Sequence, residues 1–95
     1  MAAYMIADVD ITNPAAMEEY RHRVGDTITK YGGRFLVRGG NSEVVEGSWN
    51  PKRLVVLEFP IMERLKAWYH SPEYAPLKQL RFRSANTNLV LVQGV

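Results

Sequence analysis

The chain has 95 residues, 46% of them hydrophobic and 23% charged, with no cysteine and a formal charge of +2. One hydrophobic core is the limit at this length, and the composition is that of a folded globular domain. The absence of thiols excludes disulfides, thiolate catalysis and thiolate metal sites, and two histidines leave a metal site to carboxylates, so no metal or cofactor is expected.

The start, "MAAYMIADVD", reaches acidic residues without a basic leader, which argues against a signal peptide and for a cytoplasmic protein. Within "AYMIADVDI" the side chains alternate. Met5, Ala7, Val9 and Ile11 form a core face, while Tyr4, Ile6, Asp8 and Asp10 point the other way, which is the period of a strand. "NPAAMEEYRHRVGDTITKYGG" then reads as an amphipathic helix. Asn13 is its cap, Pro14 its first residue, and Met17, Tyr20, Val24, Ile28 and Tyr31 its apolar stripe, ending at Gly32 and Gly33. The pairs Glu18/His22 and Glu19/Arg23 lie on the opposite face, where a solvated ion-pair pattern accounts for them better than a metal site.

"RFLVRGG" reads as a second strand, and "SEVVEG" as another strand or its continuation after a turn. "RLVVLEF" reads as a third, entered through the "NPK" turn. Helical spacing resumes in "PIMERLKAWYHS" through Ile61, Leu65 and Trp68, and "NLVLVQG" closes as an apolar strand. Its longest apolar run falls far short of the roughly 20 residues that cross a bilayer, so no membrane partner is expected. The order is βαββαβ, an α+β plan of the ferredoxin-like type over residues 1–95. An antiparallel sheet carries two helices on one face.

The other sheet face should present Tyr4, Ile6, Asp8, Asp10, Arg34, Leu36, Arg38, Leu54, Val56 and Glu58. Ile6, Leu36, Leu54 and Val56 would leave an apolar patch, and a second copy of the sheet is the simplest partner for it. The expectation is a homodimer enclosing a pocket for a small-molecule ligand. Neighbouring first and third strands are expected to run parallel, placing Asp8 and Glu58 at one end of the face as candidate acid and base. Arg34 or Arg38 would hold an anionic substrate, and Tyr4, Glu46 and Trp49 would complete the pocket. The alternative is that the carboxylates are neutralised by those arginines across the strands, on a noncatalytic dimer. A slip of one residue in the central hairpin would reverse these side chains.

RNA-recognition domains share this topology but stack bases on aromatics of the central strands. Here the third strand offers Leu54, Val56 and Glu58, and bases interleave with acids along the chain despite a pI near 9.1, so no nucleic-acid partner is expected. In "WYHSPEYAPLKQLR", Trp68 continues the buried stripe and His70 ends the helix. Ser71, Pro72 and Glu73 signal a capped turn, and Pro76 restarts a helix running to about Ser84. A Ser-His-acid triad is a poor reading, because Ser71 and His70 are sequence neighbours whose side chains diverge. Tyr74 and Arg81 are seven apart, but the expected break at Pro76 makes a shared face unreliable.

The stretches "YGGRFLVRGG", "EVVEGSW", "RLVVLEFP", "AWYHSPEY" and "PLKQLR" resemble, in order and over nearly the whole chain, the family called domain of unknown function 1330. The resemblance implies a dimeric α+β barrel, in which two ferredoxin-like subunits pack their sheets together. Cofactor-independent monooxygenases, muconolactone isomerase and stress-responsive barrel proteins share that superfamily, so the resemblance implies a fold and a choice of activities. It assigns no catalytic residue. Glu46, Gly47, Trp49 and Ser71 to Tyr74 stand only as motif positions.

Overall fold

Strand β1 (Ala3–Ile11) buries Ala3, Met5, Ala7 and Val9, and leaves Tyr4, Ile6 and Asp8 half-buried on its other face. In the computed structural model, which describes residues 1–95, β1 is an interior strand of a four-stranded antiparallel sheet. The spatial order is β2 (Arg34–Arg38), β3 (Leu54–Phe59), β1, β4 (Ala85–Gln93). Helix α1 (Pro14–Lys30) starts where Asn13 Oδ1 accepts the Ala16 N–H at 3.2 Å, and it buries Met17, Val24 and Ile28 against the sheet.

The second helical segment is divided. Helix α2 (Met62–Tyr69) buries Leu65 and Trp68, the chain leaves it at His70, and α3 (Ala75–Ser84) follows. Ser71 makes the division: its Oγ donates to the Trp68 carbonyl at 2.7 Å and accepts the Tyr74 N–H at 3.1 Å. Pro76 lies in the first turn of α3, where an amide has no intrahelical partner to lose.

Three expectations are corrected. First, β1 and β3 run antiparallel, with Tyr4 opposite Glu58 and Asp8 opposite Leu54. Helix α1 returns the chain so that β2 runs in the direction of β1, and the reversal into β3 then turns it against both. Asp8 and Glu58 are therefore four positions apart along the ladder, about 13 Å. Second, "SEVVEG" forms no strand. Residues 39–53 are a loop in which Val45 is 82% exposed, and Asp8 holds it down by accepting from Trp49 Nε1 at 3.1 Å and the Lys52 N–H at 2.9 Å.

Third, β2 carries a bulge. Phe35 pairs with Leu57 and Val37 with Val56, so Leu36 is an extra residue and Arg38 pairs with Val55. One inserted residue inverts the side-chain alternation. Arg38 accordingly lies on the helix side of the sheet, where its Nη2 donates to the Arg21 carbonyl at 3.0 Å and its guanidinium sits 4.1 Å from the Phe35 ring centroid.

Candidate functional site

The residues expected on the open sheet face separate into two groups. At one end Glu58 accepts from Arg34 Nη2 at 2.7 Å and from the Tyr4 hydroxyl at 3.2 Å. Bonding to Arg34 holds the Glu58 carboxyl below its usual range, while the bond to Glu58 pushes the Tyr4 phenol up. At the other end the Lys52 amide, then Trp49, hold the Asp8 carboxyl down. Arg38 is on the opposite face, and Glu46 stands exposed in the loop. The two carboxylates thus do not adjoin each other within one subunit.

A different site lies beneath the sheet. Helices α1 and α3 and strands β1 and β3 enclose a cavity of about 50 Å³ whose 17 lining residues include 13 hydrophobic ones. That space holds roughly three or four water molecules, so any larger ligand must extend through its opening. The walls follow from alternation on the strands and helical spacing on α1: Met5, Ala7 and Val9 face Val24 and Ile28 across it.

Polar groups reach this apolar space from two directions. The Tyr20 and Tyr74 hydroxyls are hydrogen-bonded at 2.7 Å, with their rings edge to face at 6.4 Å between centroids. Burial raises both phenols, Tyr20 well above the usual value, so both are neutral near pH 7; one proton is spent in their mutual bond and the other can be donated to a ligand oxygen. Arg81 is 5% exposed, lines the same cavity, forms no ion pair, and its buried Nε has no partner. Leaving such a donor unsatisfied costs about 1–3 kcal/mol, a cost expected where a ligand supplies the missing acceptor.

The seven-residue spacing of Tyr74 and Arg81 holds after all. Tyr74 has helical dihedrals at the N-cap of α3, so two helical turns separate it from Arg81 and both point into the cavity. Tyr20 was legible only as part of an apolar stripe. Trp68, stacked 4.2 Å from Tyr74 between centroids, closes the floor and donates from Nε1 to Thr27 at 3.0 Å. No carboxylate, imidazole or thiol lines the cavity.

Several solved structures share this arrangement of elements. A protein of unknown function from Rhodopseudomonas palustris superposes with a TM-score of 0.81 at 14% identity, covering 99% of this chain and 82% of its own. SnoaB, a cofactor-independent oxygenase from Streptomyces nogalater, gives 0.69 at 11% identity, covering 99% and 93%. A dimeric ferredoxin-like protein of unknown function from Jannaschia sp. CCS1 gives 0.71 at 13% identity, covering 99% and 100%. These likenesses establish the ferredoxin-like fold. No curated protein matches the sequence. The model of one family, Domain of unknown function (DUF1330), matches residues 2–95, and the chain belongs to that family.

Proposed function

We propose that this protein is a homodimeric small-molecule enzyme whose site is the cavity between α1, α3 and the sheet. The observation that carries this reading is the unpartnered, buried Arg81 Nε beside the Tyr20–Tyr74 hydroxyl pair, in a space whose remaining lining is apolar except for Arg21, Arg38 and Arg53. Neutral phenols and a guanidinium in low dielectric stabilise negative charge on a ligand oxygen. Enolate formation is the step that an isomerase and a cofactor-independent oxygenase have in common: a C–H bond beside a carbonyl breaks, its proton leaves to water, and the electron pair settles on oxygen. In oxygenation, dioxygen is then the oxidant. The fold shared with SnoaB is compatible with that chemistry.

In this reading Asp8 and Glu58 are not the acid and base. Asp8 fastens the loop bearing Trp49, and Glu58 ties β2 to β1 through Arg34 and Tyr4. The alternative, a noncatalytic binding protein, is favoured by one observation: the cavity holds no group that is a base at neutral pH.

Deuterium exchange separates the two. Small enolisable ketones should quench Trp68 fluorescence in a Trp49→Phe background and lose α-protons to D₂O faster with protein than without. Tyr74→Phe should slow that exchange about 10²-fold, the usual scale for losing one oxyanion donor. Quenching without accelerated exchange selects the binding protein, and neither effect removes both readings.

A further inference from the structure

We propose that Arg21, Arg38 and Arg53 form a recognition site for the carboxylate of a small oxo-acid whose apolar body enters the cavity. The proposal rests on the cavity reading above and adds the substrate class. The three arginines line the cavity and also the polar depression outside it, which they share with Glu18, His22, Gly25 and Asp26. They therefore stand at its mouth.

Their charges are poorly balanced by the protein. Arg21 donates from Nη2 to Glu18 at 2.9 Å, but Glu18 also bonds His22 at 3.0 Å, and the buried Arg21 Nε has no partner. Arg38 donates only to the Arg21 carbonyl. The Arg53 guanidinium makes no hydrogen bond or ion pair, and Asp26 reaches none of the three. Burial, then the charges of Arg21 and Arg38, pull the Arg53 guanidinium below its usual proton affinity. Gathering like charges around a half-buried site opposes folding unless an anion completes it.

The backbone is shaped to keep them there. The bulge at Leu36 turns Arg38 under the sheet, where the Phe35 ring supports it at 4.1 Å. Gly39, at φ +72°, lies where any Cβ would collide with the Arg53 guanidinium. Planar guanidinium forks match a carboxylate in two directions. With the cavity small, and one proton of the Tyr20–Tyr74 pair and the Arg81 Nε free to meet an oxygen inside it, the matching molecule carries a carbonyl at one end and a carboxylate at the other.

The test uses ω-1 oxo-acids of four to seven carbons and their primary amides, titrated by Trp68 fluorescence in the Trp49→Phe protein. The best acid should bind at least about tenfold tighter than its amide, the scale of a charge-assisted bidentate bond. That advantage should collapse in about 0.5 M salt, which screens partly exposed charges. Arg53→Gln should remove it without lowering Tm, since it relieves repulsion, whereas Arg23→Gln, a charge control paired with Glu19, should preserve it. Equal binding of acid and amide overturns the arginine site and leaves the cavity reading standing. Acetate competing with the best acid as well as the longer acids do also overturns it, because the mouth then acts without the cavity. Binding of neither acid nor amide overturns both readings.

Discussion

Glu73 joins parts of the chain that are far apart in sequence. Its carboxylate accepts from Lys30 at the end of α1 and from the Tyr31 hydroxyl at 2.8 Å, fastening the turn between α2 and α3 to the first helix. Those bonds, Lys30 first and Tyr31 second, hold the Glu73 carboxyl down to about 2 from an ordinary 4.5. A carboxyl depressed on folding stabilises above its unfolded value and loses that contribution as pH falls through the folded one. The wild type should therefore lose stability as pH drops from 4.5 toward about 2 in a way that Glu73→Gln does not. Urea midpoints measured across that range check it, and identical pH profiles for the two proteins would remove Glu73 as a source. The residue was legible in sequence as a first-turn acid. Its partners were not, because Lys30 and Tyr31 come from another element that only the tertiary fold brings near.

At the scale of elements, what was legible had local causes. The Asn13–Pro14 start of α1, the alternation of β1 and the capped break after His70 are each written in a few consecutive residues. Replacing the Ser71 cap tests the last of these: Ser71→Ala should destabilise the protein by about 1 kcal/mol, since its Oγ satisfies one amide and one carbonyl in a buried turn. A denaturant midpoint unchanged in that variant would mean the turn is held by Glu73 alone. What was not legible had distant causes. "SEVVEG" has strand-like residues, but a strand needs a ladder partner, and β3 is already paired with β1 and β2 while Asp8 captures the loop's amides. The bulge at Leu36 has no composition signal of its own, yet it decides which face receives Arg38. The candidate site failed to show in sequence for a related reason: its polar members come from α1, α3, β2 and the end of the 39–53 loop, and each looked locally like stripe, cap or surface.

At the scale of the whole molecule the open sheet face remains to be explained. Its middle row, Val37, Val56, Ile6 and Val90, runs in register across all four strands, flanked by the Arg34–Glu58–Tyr4 group on one side and Asp8 on the other. Val90 is 57% exposed and Val37 39%, so the row contributes little to the core of one subunit. A two-fold axis through it would place apolar residues on apolar residues and let charged groups form the rim, which is the arrangement of an isologous dimer. The wild type should then sediment at twice the 10.8 kDa chain mass. Val90→Asp should dissociate it, because symmetry buries the new carboxylate twice. A penalty of roughly 3 kcal/mol corresponds to a dimer more than about 100-fold weaker. The far-ultraviolet dichroism of that variant should be retained, since the position is open in the isolated subunit. The cavity lies on the opposite side of the sheet, so monomeric Val90→Asp should still take up the oxo-acid probe. A variant that unfolds instead of dissociating, or a wild type that sediments as a monomer, would refute the assignment of this face to a second copy.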